Sequence, residues 1–196
     1  MIHYRYCIDE NRLIKSEEEI QLMRQTCQVA SNSICKTISQ THSLDSELQM
    51  AATVEHFCKM HGASHMAYPS VVASGDNANI IHYDQSSNDK FDENSRKCNL
   101  LLMDAGCELG GYTSDVTRTW PLSGQFNKLP QRLVYEAVLD VQKTLITALQ
   151  RNNCSDRGNK IWTVDNLYYE MKKLFLPHLI DLGLIEEKDE EQLANV

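Results

Sequence analysis

Apolar residues fall at helical spacing in four stretches of the chain and cluster or alternate between them. Behind Ser16-Glu17-Glu18-Glu19, residues Ile20, Met23, Cys27, Ala30 and Ile34 lie on one side of a 3.6-residue repeat. Ser16 and Glu19 have the spacing of a capping box, in which each side chain serves the other's backbone N–H. The pattern predicts an amphipathic helix over residues 17–40, with glutamates in its first turn to complement the dipole. Ser43 is placed to cap a second helix that ends in "KMHGA", where Gly62 can take the left-handed stop conformation. "QRLVYEAVLDVQKTLITALQR" predicts a third helix, and a fourth runs from Val164 to Leu176.

The segments between the second and third helices read differently. "MAYPSVVASG" and "NIIHY" read as strands, with Pro69 imposing an edge or an irregular start. "QSSNDKFDENSRKCN" is polar and reads as a surface loop. "LLLMDAGC" and "GYTSDVTRTW" are strands rich in apolar and β-branched residues, and "PLSGQFNKLP" is a turn. Helices and strands segregate in blocks, which predicts an α+β fold rather than a parallel βαβ sheet.

Two aspartates sit inside the last strand pair, Asp104 and Asp115. Gly110-Gly111 supplies the positive φ that a tight connection needs. With the turn centred on Leu109–Gly110, Asp104 would face Asp115 directly. Two carboxylates that close in a dry site require a shared proton or a cation between them. Oxygen ligands suit hard divalent ions, and a pair of such ions can activate water for hydrolysis. The alternative is a pair of solvated aspartates flanking a turn. Against it, Leu100, Leu102 and Asp104 alternate onto one face, which places Asp104 in line with core residues.

Other candidates are weaker. His82 ends "NIIHY", Tyr68 lies in "MAYPS" and His178 in "LFLPHLIDLG"; taken singly, each reads as packing. His56, His61 and His65 bracket a helix end, but no acid or cysteine joins them into a convincing metal set.

Composition narrows the class. The chain has 196 residues, enough for one domain, and a net charge of −8 that disfavours a primary role on nucleic acid. Its seven cysteines are scattered without a C-x-x-C pair, which favours free thiols in a reducing compartment. No apolar run reaches 18 residues, so no membrane span is expected. The N-terminus lacks the apolar core of a secretory signal and carries acids that mitochondrial presequences avoid. The expected compartment is cytoplasmic, or mitochondrial with a targeting segment upstream.

"YPSVVASGDNANIIHY" followed by "LLLMDAGCELGGYTSDVTRTWPLSGQF" resembles the aminopeptidase P branch of the pita-bread metallopeptidases, in its mitochondrial, Xaa-Pro aminopeptidase 3-like form. "RLIKSEEEIQLMRQTCQVAS" resembles the first catalytic-domain helix of that family. Methionine aminopeptidases share the aspartate spacing, but T-R-T-W-P and the turn after it point to aminopeptidase P or prolidase. The resemblance implies an incomplete pita-bread fold, the first half of the catalytic domain. Residues 1–14 would be the end of a linker from an absent N-terminal domain, and residues 15–196 the partial catalytic domain.

The resemblance also implies roles. Asp104 and Asp115 match the two aspartate ligands of a dinuclear site for two divalent metal ions, most often Mn²⁺, Asp115 being the bridging one. His82 matches the histidine that contacts the substrate and steadies the reacting carbonyl. Tyr68, fourteen residues earlier, matches a tyrosine of the site's hydrogen-bond network. The implied activity is release of the N-terminal residue from peptides with proline in second position, by metal-activated hydroxide, in a protein that often forms a homodimer. The family's remaining ligands, one His and two Glu, come later than Val196, so the chain alone is expected to be inactive. The loop between His82 and Asp104 is about five residues longer than usual, which a surface loop tolerates. The alternative is a non-catalytic truncated relative that acts as a binding or regulatory protein.

Overall fold

The computed structural model describes residues 4–152 and 162–186; residues 1–3 of the expected linker and the acidic end, 187–196, lie outside them. The chain divides into two compact units, Met1–Asn127 and Lys128–Val196.

In the first unit, helices α1 (Tyr4–Leu13), α2 (Glu17–Ser39) and α3 (Glu47–Met60) precede strands β1 (His65–Met66) and β2 (Val71–Ser74). A short helix, α4 (Glu93–Cys98), leads into β3 (Leu100–Ala105), β4 (Cys107–Leu109), β5 (Tyr112–Thr113) and β6 (Val116–Pro121). The stretch expected as linker is thus helical over Tyr4–Leu13.

The capping box at α2 forms as predicted. Ser16 Oγ accepts from the Glu19 N–H at 3.3 Å, and Glu19 Oε2 accepts from the Ser16 N–H at 2.6 Å. The buried face differs from the expected one. Cys27 is exposed, while Thr26, Ala30, Ser33, Ile34 and Thr37 are buried. Each hydroxyl is satisfied by the carbonyl one turn back: Thr26 by Leu22, Ser33 by Val29 and Thr37 by Ser33, at 2.8–2.9 Å. Helix-internal bonding of this kind lets small polar residues face a core. The second helix is capped by Ser46 rather than Ser43, which lies in a 3₁₀ turn; Gly62 has the expected positive φ, 99°.

Two antiparallel three-stranded sheets follow, in the orders β1-β4-β5 and β2-β3-β6. The inner face of the second sheet presents Val72, Leu101, Met103, Ala105 and Trp120 to Ala30 and Ile34 of α2 and to Met50, Val54 and Cys58 of α3. Full burial of a side chain such as Leu101 or Met103 contributes about 1.5–3 kcal/mol. Trp120 donates its indole N–H to Thr41 Oγ1 at 2.9 Å, so its polar atom is satisfied inside the core.

One strand expectation fails and one loop expectation is incomplete. "NIIHY" forms no strand: Gly75–Asn79 is a 3₁₀ turn and residues 80–83 continue as turn and coil, because this segment bends back to α3 and makes no sheet ladder. The polar loop before β3 contains α4, capped by Asp92 through the Ser95 N–H at 2.6 Å.

The second unit holds α5 (Leu129–Asn152) and α6 (Val164–Asp181), which pack on each other. The latter continues through Pro177, five residues beyond the expected end at Leu176. His178 Nε2 lies 3.2 Å from Asp140 Oδ2, tying the two helices as the structural reading of that histidine required.

Candidate metal centre

The strand pair that carries the aspartates turns later than expected. Leu109 pairs with Tyr112, so the two turn residues are Gly110 and Gly111, both at positive φ (59° and 86°), as a tight hairpin demands. The ladder accordingly sets Asp104 opposite Thr117 and Ala105 opposite Val116. Asp115 precedes β6 and lies diagonal to Asp104 instead of directly across from it. The register differs by an even number of residues, so both aspartates still project from one face. Diagonal neighbours stand ~7–8 Å apart, a span that a third polar group can bridge.

Tyr68 bridges it. Its hydroxyl lies 2.5 Å from Asp104 Oδ1 and 3.0 Å from Asp115 Oδ1. Burial, and then the two carboxylates it contacts, push the phenol well above its ordinary pKa, so it remains a donor throughout the neutral range. Gly106 makes this approach possible. A Cβ there would meet the Ser114 carbonyl oxygen at 1.8 Å and the Tyr68 ring at 3.0 Å. At this residue the chain passes from β3 to β4, and its carbonyl accepts from the Ala67 N–H at 2.9 Å, which sets Tyr68 over the seam.

The aspartates do not continue the core. Along β3 the buried positions are Leu101, Met103 and Ala105; Leu100, Leu102 and Asp104 form the half-exposed face. The alternation is the expected one, but the face that carries Asp104 is the half-exposed one; composition does not separate the two because both faces of this strand are apolar apart from Asp104. Asp115 is exposed. A carboxylate pair on an open, partly apolar sheet face can take up a cation from solution.

His82 is not drawn into this cluster. It is exposed, has a φ of 55°, and follows the 3₁₀ turn after β2, with no hydrogen bond to either aspartate. The loop just beyond it nevertheless shares a cavity of about 610 Å³ with Tyr68, walled by Leu48, Ala51, Glu55, Asp84 and Ser86. His61 is occupied otherwise, with Nδ1 at 2.6 Å from the Phe57 carbonyl and Nε2 at 3.0 Å from Lys36 Nζ. Among the described residues no group of three or more His, Cys, Asp or Glu converges on a point that could hold a metal. That leaves His56, His61 and His65 without a shared site.

Residues 21–193 match the profile of metallopeptidase family M24. The chain belongs to that family. The M24 chain is 37% identical over 194 residues to the Xaa-Pro aminopeptidase 3 of Dictyostelium discoideum, covering 93% of this chain and 35% of that protein. It is 40% identical over 137 residues to the mitochondrial intermediate cleaving peptidase 55 of Arabidopsis thaliana, covering 70% and 27%. Among solved structures it superposes on aminopeptidase P from Escherichia coli with a TM-score of 0.82 at 28% identity, covering 99% of this chain and 41% of that one. Icp55 from Saccharomyces cerevisiae, bound to the inhibitor apstatin, gives 0.76 at 29% identity, covering 93% and 42%. The fold is therefore part of the pita-bread domain expected from the sequence, and the M24 chain spans about a third of the length of the curated relatives it matches.

Membership implies divalent metal ions, and the residues present fit them. Asp104 and Asp115 offer carboxylate oxygens, the donor type that hard divalent cations take, on one face of the strand pair. Sequence reasoning gave no role to Gly106 or Ser114, whose close contact is a backbone matter; the D-A-G triplet was the signal. Glu47, buried at the start of α3, was missed as well.

Proposed function

We propose that this chain is the part of an Xaa-Pro aminopeptidase that carries its two aspartate ligands, and that the whole enzyme releases the N-terminal residue from peptides with proline in second position. The observation that carries this reading is the convergence of Asp104 and Asp115 on the Tyr68 hydroxyl. Relatives named Xaa-Pro aminopeptidase at 37% and 35% identity support the substrate class.

Asp104 and Asp115 would hold two divalent ions, which we take to be Mn²⁺. When bound, such a pair supplies water activation and stabilises charge at the scissile carbonyl. Tyr68, kept protonated, donates to the carboxylates and fixes which of their oxygens face the open side. His82, on its exposed loop, is assigned to the substrate and steadies the reacting carbonyl. The rest of the ligand set comes from outside the described residues, so the chain by itself is a binding half without hydrolytic activity. A mitochondrial setting is favoured by the relative named as mitochondrial; a homodimer rests on the resemblance alone.

Purified chain 1–196, incubated with a peptide bearing proline second, is expected to show no turnover with or without Mn²⁺ while still binding the ion in a calorimeter. Turnover by this chain alone would refute the division of labour. Failure to bind Mn²⁺ would favour a metal-free binding protein.

A further inference from the structure

One buried acid takes no part in the centre described above. Glu47 opens α3 and is only 2% exposed. Its Oε1 accepts from the Ser74 N–H at 2.7 Å and from Asn77 Nδ2 at 3.0 Å. Its Oε2 accepts from the Tyr83 hydroxyl at 2.9 Å, from the Ser87 N–H at 2.9 Å and from Asn77 Nδ2 at 3.2 Å. A buried carboxylate is tolerated only when charge-assisted hydrogen bonds surround it. Here every one of those donors comes from a single segment, 74–87.

That segment carries His82. Ser74, at its start, pairs with Leu101 on the strand that bears Asp104. Ser87, at its end, is tied a second time, its carbonyl accepting from the Leu48 N–H at 3.1 Å. Tyr83, the neighbour of His82, has a buried ring and a hydroxyl on Glu47. His82 lies between these anchors with its backbone in the left-handed region that residues other than glycine seldom adopt. Such a conformation persists where its surroundings over-determine it. No ladder does so at His82, since residues 75–87 form no strand; the loop is tied mainly to the Glu47 carboxylate, with Asn77 Nδ2 and the Ser87 N–H also donating to the Tyr83 hydroxyl that rests on it, at 3.2 Å each.

We propose that Glu47 is a positioning residue: its buried carboxylate gathers both arms of the 74–87 loop onto α3 and thereby fixes the place of His82 in the loop that leaves β2, the strand paired with the one that carries Asp104. The inference rests on the reading of His82 as the substrate-contacting histidine. It makes α3, which contributes no ligand, the mount of one side of the site.

The test uses the full-length enzyme with Glu47→Gln, Tyr83→Phe, His82→Ala and the double variant Glu47→Gln/His82→Ala. The glutamine keeps the shape but can accept at only one of its two terminal atoms, leaving donors of the loop unmatched. In Glu47→Gln, amides of residues 75–87 are expected to exchange hydrogen at least about tenfold faster, while those of β3 and β6 keep their wild-type rates. Cleavage of an Xaa-Pro peptide should lose about a hundredfold in kcat at nearly constant KM, the scale of a misplaced group. The double variant should be no slower than His82→Ala alone. Tyr83→Phe should move exchange and kcat in the same direction by less, and it decides the matter if Glu47→Gln does not fold. Losses that multiply in the double variant, or exchange that quickens across β3 and β6 as well, would overturn the proposal and leave Glu47 a general stabiliser. Normal cleavage by His82→Ala would instead overturn the reading of His82, a result visible without any Glu47 variant.

Discussion

Asp104 and Asp115 share one hydrogen-bond donor: the Tyr68 hydroxyl lies 2.5 Å from an oxygen of the first and 3.0 Å from an oxygen of the second. A phenol has a single proton, so it can satisfy one carboxylate fully or both in part. Without a cation, two like charges therefore remain incompletely neutralised on one face of the sheet. That imbalance is the basis of the first two expectations.

Tyr68→Phe should lower the stability of the metal-free protein by about 1–2 kcal/mol, the scale of a hydrogen bond to a partly exposed charged group. Saturating Mn²⁺ should shrink the difference, since the cation takes over the neutralisation. Urea midpoints in chelator and in Mn²⁺ measure both values. An equal loss in the two conditions would show that Tyr68 only packs.

Mn²⁺ at a hundred times its Kd should stabilise the wild-type chain by about 2.7 kcal/mol. Asp104→Asn and Asp115→Asn should each abolish most of that gain. In chelator, both variants should match or exceed the wild type, because one of two repelling charges has been removed. Thermal melts of the three proteins, with and without the ion, decide this. Variants that lose stability in chelator yet respond to Mn²⁺ normally would contradict it.

Gly106→Ala should be far more damaging than its one added carbon suggests. The new Cβ would stand 1.8 Å from the Ser114 carbonyl oxygen, and backbone cannot yield as a side-chain tip can. A loss of about 3 kcal/mol or more is expected, together with loss of Mn²⁺ binding, since the shift moves Asp104 away from Asp115. Gly124→Ala is the control, being a positive-φ glycine with nothing within 4 Å of its Cβ position. It should cost less and leave ion binding intact.

Legibility in the sequence followed the range of the interaction. The Ser16–Glu19 cap and the long periodic helices are local devices and stand where the pattern put them, and the glycine pair marks the hairpin turn, which is centred one residue later than the pattern put it. The aspartate pair was legible because strand alternation survives an even change of register. What failed depends on distant partners. The inner face of α2 is lined by Thr26, Ser33 and Thr37, whose hydroxyls are satisfied within the helix, and no hydropathy pattern marks them as buried. "NIIHY" has the composition of a strand, but Glu47, far back in the chain, holds its flanks in a loop. The outer face of β3 reads as core by pattern because Leu100 and Leu102 are apolar, although they are half-exposed.

Cys58 gives a pH dependence that is independent of the metal site. Burial, at 1% exposure, pushes its thiol up from 9.0 to about 11. The folded state thus retains the proton where the unfolded chain has released it. The resulting stabilisation is fully present below about pH 9 and is lost as pH rises from 9 through 11, a change of about 2–3 kcal/mol. Cys58→Ala should cost stability at pH 8, and its deficit against the wild type should narrow by pH 10.5. Chemical denaturation at the two pH values tests the sign; a deficit that widens would refute it.

The Gly110-Gly111 hairpin also makes the centre a matter of timing. Both aspartates lie on one short doubling of the chain, and such a hairpin closes in about 1–10 μs. Tyr68 is 36 residues away from Asp104 and arrives only with the longer-range ladder. On these timescales the carboxylates are expected to meet before their shared donor does, with dissolved divalent ions as the first counter-charge they can find. Refolding should speed up when millimolar Mg²⁺ replaces an equal ionic strength of NaCl, with the ion acting as a template for the strand pair that will later hold it.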